Sequence, residues 1–267
     1  MSEIELTDEQ LERYARHVIL NEVDEEGQLK LLNAKVLMIG AGGLGSPALL
    51  YLAAAGVGTI GIVDHDVVDV SNLQRQVIHS TDELGQSKVS SAAERMEAIN
   101  PEITIHEYRD RIGPNNAIDL IRQYDLVIDG SDNFASRYVV NDACYLLKKP
   151  LMSAALVRFE GQASLFKAFE SDEQPCYRCI FPESPDPDLV PRCDTVGILG
   201  PVAGVMGCIQ ATEVLKEILG LGTNLAGRLM LFDAMDMEMR SIKTKKDRNC
   251  ALCGDHPTIT EENIGKV

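Results

Sequence analysis

Several places in the chain carry residue types whose spacing could do chemistry. Gly40-Ala41-Gly42-Gly43-Leu44-Gly45 fits G-x-G-x-x-G. Glycines there let the backbone turn tightly and approach a phosphate, and a helix beginning at the turn adds partial positive charge. Asp64 follows at the separation where a carboxylate accepts from ribose hydroxyls, with Asp66 just beyond. This pattern predicts a nucleotide site without separating NAD from ATP. Ser71-Asn72-Leu73-Gln74-Arg75-Gln76 is a polar run in which Arg75 offers a planar fork for phosphate oxygens, and Lys88 stands at the start of a later helix. Singly, Arg75 and Lys88 read as solvated charges. With Arg16 they are three cations for a triphosphate, more than the pyrophosphate of NAD calls for.

Asp129-Gly130-Ser131-Asp132-Asn133 ends an apolar run. A carboxylate there can hold Mg²⁺ through hard oxygen ligands, or Asp132 or Asn133 can simply cap the following helix. Cys176-Tyr177-Arg178-Cys179 and Cys250-Ala251-Leu252-Cys253 are two C-x-x-C pairs. Four thiolates make a closed zinc site, and two such pairs favour zinc over redox chemistry or unconnected thiols. The long gap between the pairs would make zinc a tie between the C-terminal tail and the central segment, with no position open for catalytic water. Cys193 sits in the polar run Val190–Thr195. Arg192 would lower its pKa and Asp194 would oppose that, so on its own it reads as an inert loop thiol. Cys144 and Cys208 fall in predicted helices and read as core.

The elements that must position these residues alternate. Thr7 and Gln10 form a capping-box signature ahead of a helix over about 8–20, with Arg13, Arg16 and His17 off its apolar stripe. Val36–Ile39, the glycine turn, a helix to Ala55 and Thr59–Val63 make a βαβ unit. Helices follow at Ser87–Ile99, Asn115–Ile121 and Asn133–Leu147, and strands at Ile103–Tyr108, Leu126–Ile128 and Leu151–Ala155. The alternation predicts an α/β, doubly wound, Rossmann-like, mostly parallel sheet. From Gly161 the character changes: strands at Ala163–Phe166 and Arg228–Phe232 flank a helix over Pro201–Leu219. Gly204 and Gly207 would let that helix pack closely. Ser171–Thr195 is rich in proline and without periodicity, so it reads as a long loop of functional type.

Of 267 residues, 45% are hydrophobic and 25% charged, which excludes disordered and collagen-like classes. Lys+Arg is 25 against Asp+Glu 41, a net charge of −16 that argues against nucleic acid and anionic membranes as partners. The uncharged stretch Val36–Val63 is broken by glycines and Pro47, and Thr195–Thr212 by glycines and Pro201, so neither reads as a membrane span. The opening MSEIELTDEQ has no basic or apolar leader, which predicts a cytoplasmic location.

Arg13-Tyr14-Ala15-Arg16, the Gly40–Gly45 turn, Ala55-Gly56-Val57-Gly58, the Ser71–Gln76 run, Lys88, Asp132-Asn133 and the two cysteine pairs occur in one order. Together, over about residues 8–254, they resemble the ThiF/MoeB/HesA group, relatives of the ubiquitin-activating enzymes. The group's usual Cys-Thr before Asp-Asn is Gly130-Ser131 here. The resemblance implies a single adenylyltransferase domain over 1–267, with an N-terminal helix at 7–20, a nucleotide-binding core at 34–157, and a carrier-binding and zinc part with an antiparallel extension at 158–254. It implies ATP, Mg²⁺ and a structural Zn²⁺ held by Cys176, Cys179, Cys250 and Cys253. The substrate implied is the C-terminal Gly-Gly of a small ubiquitin-like sulfur-carrier protein, activated as an acyl-adenylate for thiamine or molybdopterin cofactor synthesis. A cysteine desulfurase or rhodanese would donate sulfur, and the protein would be a homodimer. Gly40, Gly42, Gly43, Gly45, Asp64 and Asp66 match nucleotide contacts, as do Ser71, Asn72, Gln74, Arg75, Lys88, Asp132 and Asn133. Arg16 matches an arginine that reaches the other subunit's ATP, Asp132 the Mg²⁺-associated aspartate, and Cys193 a thiol that can link to the carrier. The segment Ser171–Pro191 would cover the carrier tail. Two rival readings are an NAD-dependent oxidoreductase, which leaves Arg75, Lys88 and the cysteine pairs unexplained, and a zinc-stabilised binding module without chemistry.

Overall fold

The computed structural model describes residues 5–184 and 197–266. Its helices and strands alternate as far as the middle of the chain: α1 Asp8–Arg13, α2 Ala15–Val18, α3 Asp24–Asn33, β1 Lys35–Ile39, α4 Gly45–Ala54, β2 Thr59–Val63, α5 Lys88–Ile99, β3 Thr104–Tyr108, α6 Ala117–Ile121, β4 Leu126–Asp129, α7 Phe134–Leu146 and β5 Leu151–Val157. Then come β6 Glu160–Phe166, α8 Tyr177–Ile180, α9 Gly200–Leu219, β7 Arg228–Asp233 and β8 Glu238–Lys243. Among the described residues the strands form one sheet in the order β3-β2-β1-β4-β5-β6-β7-β8. Pairing is parallel from β3 to β5 and antiparallel from β5 to β8. This is the doubly wound sheet with an antiparallel extension that the sequence predicts.

Successive strand residues point to opposite faces. Val36 and Met38 of β1 therefore join Ile60 and Ile62 in a core under α4, α5 and α9, while Leu37 and Ile39 join Val127 and Tyr138 in a second core under α6 and α7. Both faces of β1, β2 and β4 are covered, so these strands read as unbroken apolar runs, whereas the edge strand β3 buries none of its residues. The helix α9 lies against α4. A Cβ on Gly207 would stand 2.3 Å from the Leu44 carbonyl oxygen, whereas one on Gly204 would meet open space. Only Gly207 fulfils the close-packing expectation.

Three further expectations change. The helix over 8–20 is two helices. The capping box between Thr7 and Gln10 starts α1, but at Tyr14 the backbone leaves the helix (φ −99°, ψ 14°). Its buried hydroxyl accepts from Asn100 Nδ2 at 2.8 Å. Anchoring that ring turns the chain, and α2 starts a new direction. Within Ser171–Thr195, Tyr177–Ile180 is helical, and 185–196 lie outside the described residues. Finally, α3 and β8 have no counterpart in the sequence reading. Among the described residues, no helix is long and apolar enough to cross a membrane.

Candidate functional site

The strand order reverses beside β1, between β2 and β4. In open α/β sheets this is where a crevice opens at the carboxyl ends of the strands. A cavity of about 150 Å³ lies there, bounded by the glycine turn, the ends of β2 and β4, and the start of α7. Gly40 has φ +92°, a conformation that favours glycine, and a Cβ on Gly45 would stand 2.1 Å from the Gly40 carbonyl oxygen. The turn can therefore be this tight only with glycine at both ends.

The peptide of Ala41 is held from both sides. Its N–H donates to Asp64 Oδ2 at 2.8 Å, and its carbonyl accepts from His79 Nε2 at 3.0 Å. A carbonyl oxygen only accepts, so Nε2 carries the hydrogen, and Nδ1 accepts from Ser91 Oγ at 2.6 Å. Burial pushes the His79 pKa below its usual value, in keeping with a neutral ring. Asp64 Oδ1 accepts from the Asp66 N–H at 2.9 Å, so the carboxylate braces the turn while still lining the cavity.

Lys88 is 4% exposed and pairs with Asp66 at 3.0 Å. It is a buried cation at the start of α5, not a solvated one. Arg75 donates to the Ser71 carbonyl and Gln74 Oε1 at 3.2 Å each, and to Asn72 Oδ1 at 2.7 Å. Ser71, Asn72 and Gln74 thus lie outside the cavity lining and hold the guanidinium that is part of it. Asn133 Oδ1 accepts from the Ser136 N–H at 2.9 Å and caps α7. The cap being Asn133, Asp132 is left exposed, with Asn133 Nδ2 donating to its Oδ1 at 3.3 Å.

The structure therefore brings Gly40, Gly42, Gly43, Asp64, Asp66, Arg75, Lys88, Asp132 and Asn133 to one cavity. Gly45, Ser71, Asn72 and Gln74 stand behind that lining, and Arg16 is exposed on α2, away from the cavity of its own chain. Cys193 lies outside the described residues. The lining also includes charged residues that the sequence did not single out: Asp110, Arg111 and Arg137. Arg137 follows the Asn133 cap by one helical turn, which puts it on the cap's side of α7 without saying what that side faces. The cations Arg75, Lys88, Arg111 and Arg137 face the carboxylates Asp64, Asp66, Asp110 and Asp132, so this cavity escapes the negative balance of the chain.

A second cavity, about 400 Å³, runs over β5, β6 and β7 and shares Asp132, Arg137 and Leu156 with the first. Its walls include Val157, Gly161, Leu231 and Phe232. The arrangement can hold a nucleotide beside an extended, mostly apolar segment, with the two meeting at Asp132.

The four cysteines of the C-x-x-C pairs converge although 250 and 253 come from the far end of the chain. Sulfur separations are 3.8 Å for Cys176–Cys179, 3.6 Å for Cys176–Cys250, 3.4 Å for Cys176–Cys253 and 3.3 Å for Cys179–Cys253. Tetrahedral Zn–S bonds of about 2.3 Å imply sulfurs about 3.8 Å apart. The donor set therefore fits a closed zinc site. Shared hydrogen bonds among the sulfurs pull Cys179 to about 7 and Cys250 lower, while Cys176 is pushed up. Nearby, Arg178 forms a buried bidentate pair with Asp142 at 2.7 Å for both bonds, and Asp142 accepts from the Gly265 N–H. The tail is fastened there as well as at the cysteines.

The model of the ThiF family matches residues 14–252. The chain belongs to this family. It is 46% identical over 257 residues to the sulfur carrier protein adenylyltransferase of Thermus thermophilus, covering 96% of this chain and 95% of that protein. It is 50% identical over 257 residues to the probable adenylyltransferase/sulfurtransferase MoeZ of Mycobacterium tuberculosis, covering 96% of this chain but 64% of that one. Among solved structures, that of E. coli MccB with ATP superposes with TM-score 0.73 at 25% identity, covering 91% of this chain and 74% of that one. By family and by these relatives, the chain is a nucleotidyltransferase.

Proposed function

We propose that the chain binds Mg-ATP in the glycine-turn cavity and adenylates the C-terminal glycine carboxylate of a small ubiquitin-like sulfur-carrier protein. The observation that carries this reading is the meeting of the two cavities at Asp132, one lined by glycine backbone and by cations facing carboxylates, the other of about 400 Å³ and open to an extended tail. The names of the relatives support it, and an ATP complex of a structural neighbour supports the nucleotide.

The chemistry needs little beyond placement. A terminal carboxylate is ionised at pH 7, so no general base is required. One of its oxygens bonds to the α-phosphorus of ATP, the α–β bridging bond breaks, and pyrophosphate leaves with the electron pair. Holding the reactants in line is worth up to about 7–11 kcal/mol of barrier. Lys88 and Arg75 neutralise the polyphosphate, and Asp132 would hold Mg²⁺, which supplies further charge neutralisation. Arg16 would complete the phosphate site from a second copy in a homodimer. The product is an acyl-adenylate ready for sulfur transfer, in thiamine or molybdopterin cofactor synthesis, from a cysteine desulfurase or rhodanese. Cys193 would provide a covalent link to the carrier. Cys176, Cys179, Cys250 and Cys253 would hold Zn²⁺ as a structural clip between the C-terminal tail and α8, and the reaction would take place in the cytoplasm.

The body of the carrier would rest on the antiparallel edge. Met235, Met237 and Met239 are 69%, 74% and 56% exposed around β8, and methionine surfaces adapt to partners. The direct test is intact-mass measurement of Gly-Gly-terminated carriers after incubation with enzyme and Mg-ATP. One added AMP on a carrier supports the reading. Thermal stabilisation by NAD and not by ATP, with no adduct on any carrier, would overturn it.

A further inference from the structure

Arg137 is the only cation to line both cavities and a third, smaller crevice beneath them, among the described residues. It is 9% exposed. Its Nη2 donates to the Ser131 carbonyl at 2.7 Å, and its guanidinium carbon lies 5.8 Å from the centre of the Phe134 ring. These contacts fix the plane of the group without neutralising it. No carboxylate among the described residues pairs with it. The neighbouring cations differ. Lys88 already has Asp66, and Arg75 spends its donors on three oxygens of its own turn. A buried guanidinium held rigid, with no anion beside it among the described residues, is costly, and it retains donors in a fork that matches a carboxylate. It stands where the apolar cavity ends and the phosphate cavity begins.

We propose that Arg137 is the receptor for the terminal carboxylate of the incoming carrier. This rests on the adenylation reading above and names the residue that orients the nucleophile. One carboxylate oxygen accepts from Arg137, leaving the other to attack the α-phosphorus. As the new C(O)–O–P bond forms and the bridging P–O bond breaks, the carboxylate loses its charge and Arg137 remains charged throughout. No proton moves. Because its fork is planar, a lysine at this position would supply the charge without the orientation. The second cavity is walled by Val157, Leu231 and Phe232 together with the carboxylates Asp132, Glu160 and Asp233, so Arg137 and Arg240 are the cations on its lining that could receive a terminal carboxylate.

The test uses the full chain with a ubiquitin-like carrier ending in Gly-Gly, and the same carrier with its terminal carboxylate converted to an amide. In the Arg137→Ala and Arg137→Lys proteins, ATP affinity stays near that of the wild type. Carrier-dependent ATP–pyrophosphate exchange falls by about 10²–10³-fold in Arg137→Ala. Amidation weakens carrier binding to the wild type and leaves binding to Arg137→Ala unchanged, because the contact it removes is already gone. Added guanidinium restores part of the exchange in Arg137→Ala. Equal weakening by amidation in wild type and Arg137→Ala, or exchange in both variants within threefold of wild type, would overturn the assignment. So would a loss of ATP affinity as large as the loss of exchange, which would make Arg137 a nucleotide contact. Should Arg137→Ala not fold, Arg137→Gln, which also removes the charge, carries the same comparison. A wild type that activates no carrier at all would instead strike at the adenylation reading itself.

Discussion

Strands β1, β2 and β4 bury every residue except the first of β1 and of β2, whereas β8 buries none. The two ends of one sheet thus obey different rules. The central parallel strands are sealed under helices on both faces, and the groups at their ends are fixed by hydrogen bonds, as Ala41 is by Asp64 and His79. The antiparallel end leaves methionines in solvent, while the cysteine cluster and the Arg178–Asp142 pair fasten the C-terminal tail beside α7. Rigidity thus sits at the cavity where, under the proposed function, phosphates would be met at fixed distances, and adaptable surface at the edge where the carrier would dock and leave.

The largest effect that would sharpen this contrast is expected in the rigid half. Replacing Lys88 by Met, or Asp132 by Ala, lowers ATP–pyrophosphate exchange by about 10³-fold or more. Stability changes by less than about 1 kcal/mol, because the partner left behind by Lys88, Asp66, is half exposed. Denaturant unfolding and exchange assays on the same preparations check both halves of that statement. Next comes the clip. Cys250→Ser abolishes stoichiometric zinc and lowers the melting temperature by about 6–12 °C, the equivalent of roughly 3 kcal/mol in a chain of this size. ATP affinity moves by less than about threefold, since the cluster and the nucleotide cavity share no lining residue. A large loss of ATP affinity in Cys250→Ser would show the two halves to be one cooperative unit.

His79 gives a smaller and pH-dependent effect. Its folded pKa lies below the unfolded value of about 6.5, so the unfolded chain takes up the proton first on acidification. The stability contributed by the neutral ring is complete above about pH 6.5 and is lost as pH falls toward the folded pKa. His79→Gln flattens that acid limb and weakens ATP binding by about tenfold through the loosened Ala41 carbonyl. Urea unfolding between pH 5 and pH 8 reads the slope. The smallest change in stability belongs to the docking edge. Met237→Glu alters unfolding free energy by less than about 0.5 kcal/mol but raises the KM for the carrier by about three- to tenfold.

The same contrast decides what was legible in the sequence. Buried parallel strands announce themselves as apolar runs such as Val36–Ile39, and the glycine turn carries its own backbone requirement. The C-x-x-C pairs were visible because each pair is local, although only folding brings Cys176 and Cys250 within 3.6 Å. The strand β8 was not visible, because Glu238–Lys243 is exposed on both faces and shows no alternation. Nor was α3, in which Gly27 interrupts the helix-forming run and Val23 provides no side-chain cap. Arg137 hid inside a correctly read helix: its role depends on which cavities the end of α7 faces, and no local pattern encodes that.

A crystal structure of the protein with Mg²⁺ and a non-hydrolysable ATP analogue would locate the nucleotide. The triphosphate is expected against the Gly40–Gly45 turn, within hydrogen-bond reach of Arg75 and Lys88, with its α-phosphate turned toward Asp132. A nucleotide bound elsewhere on the sheet, or one in this crevice with Lys88 still paired to Asp66 and far from any phosphate, would contradict that placement.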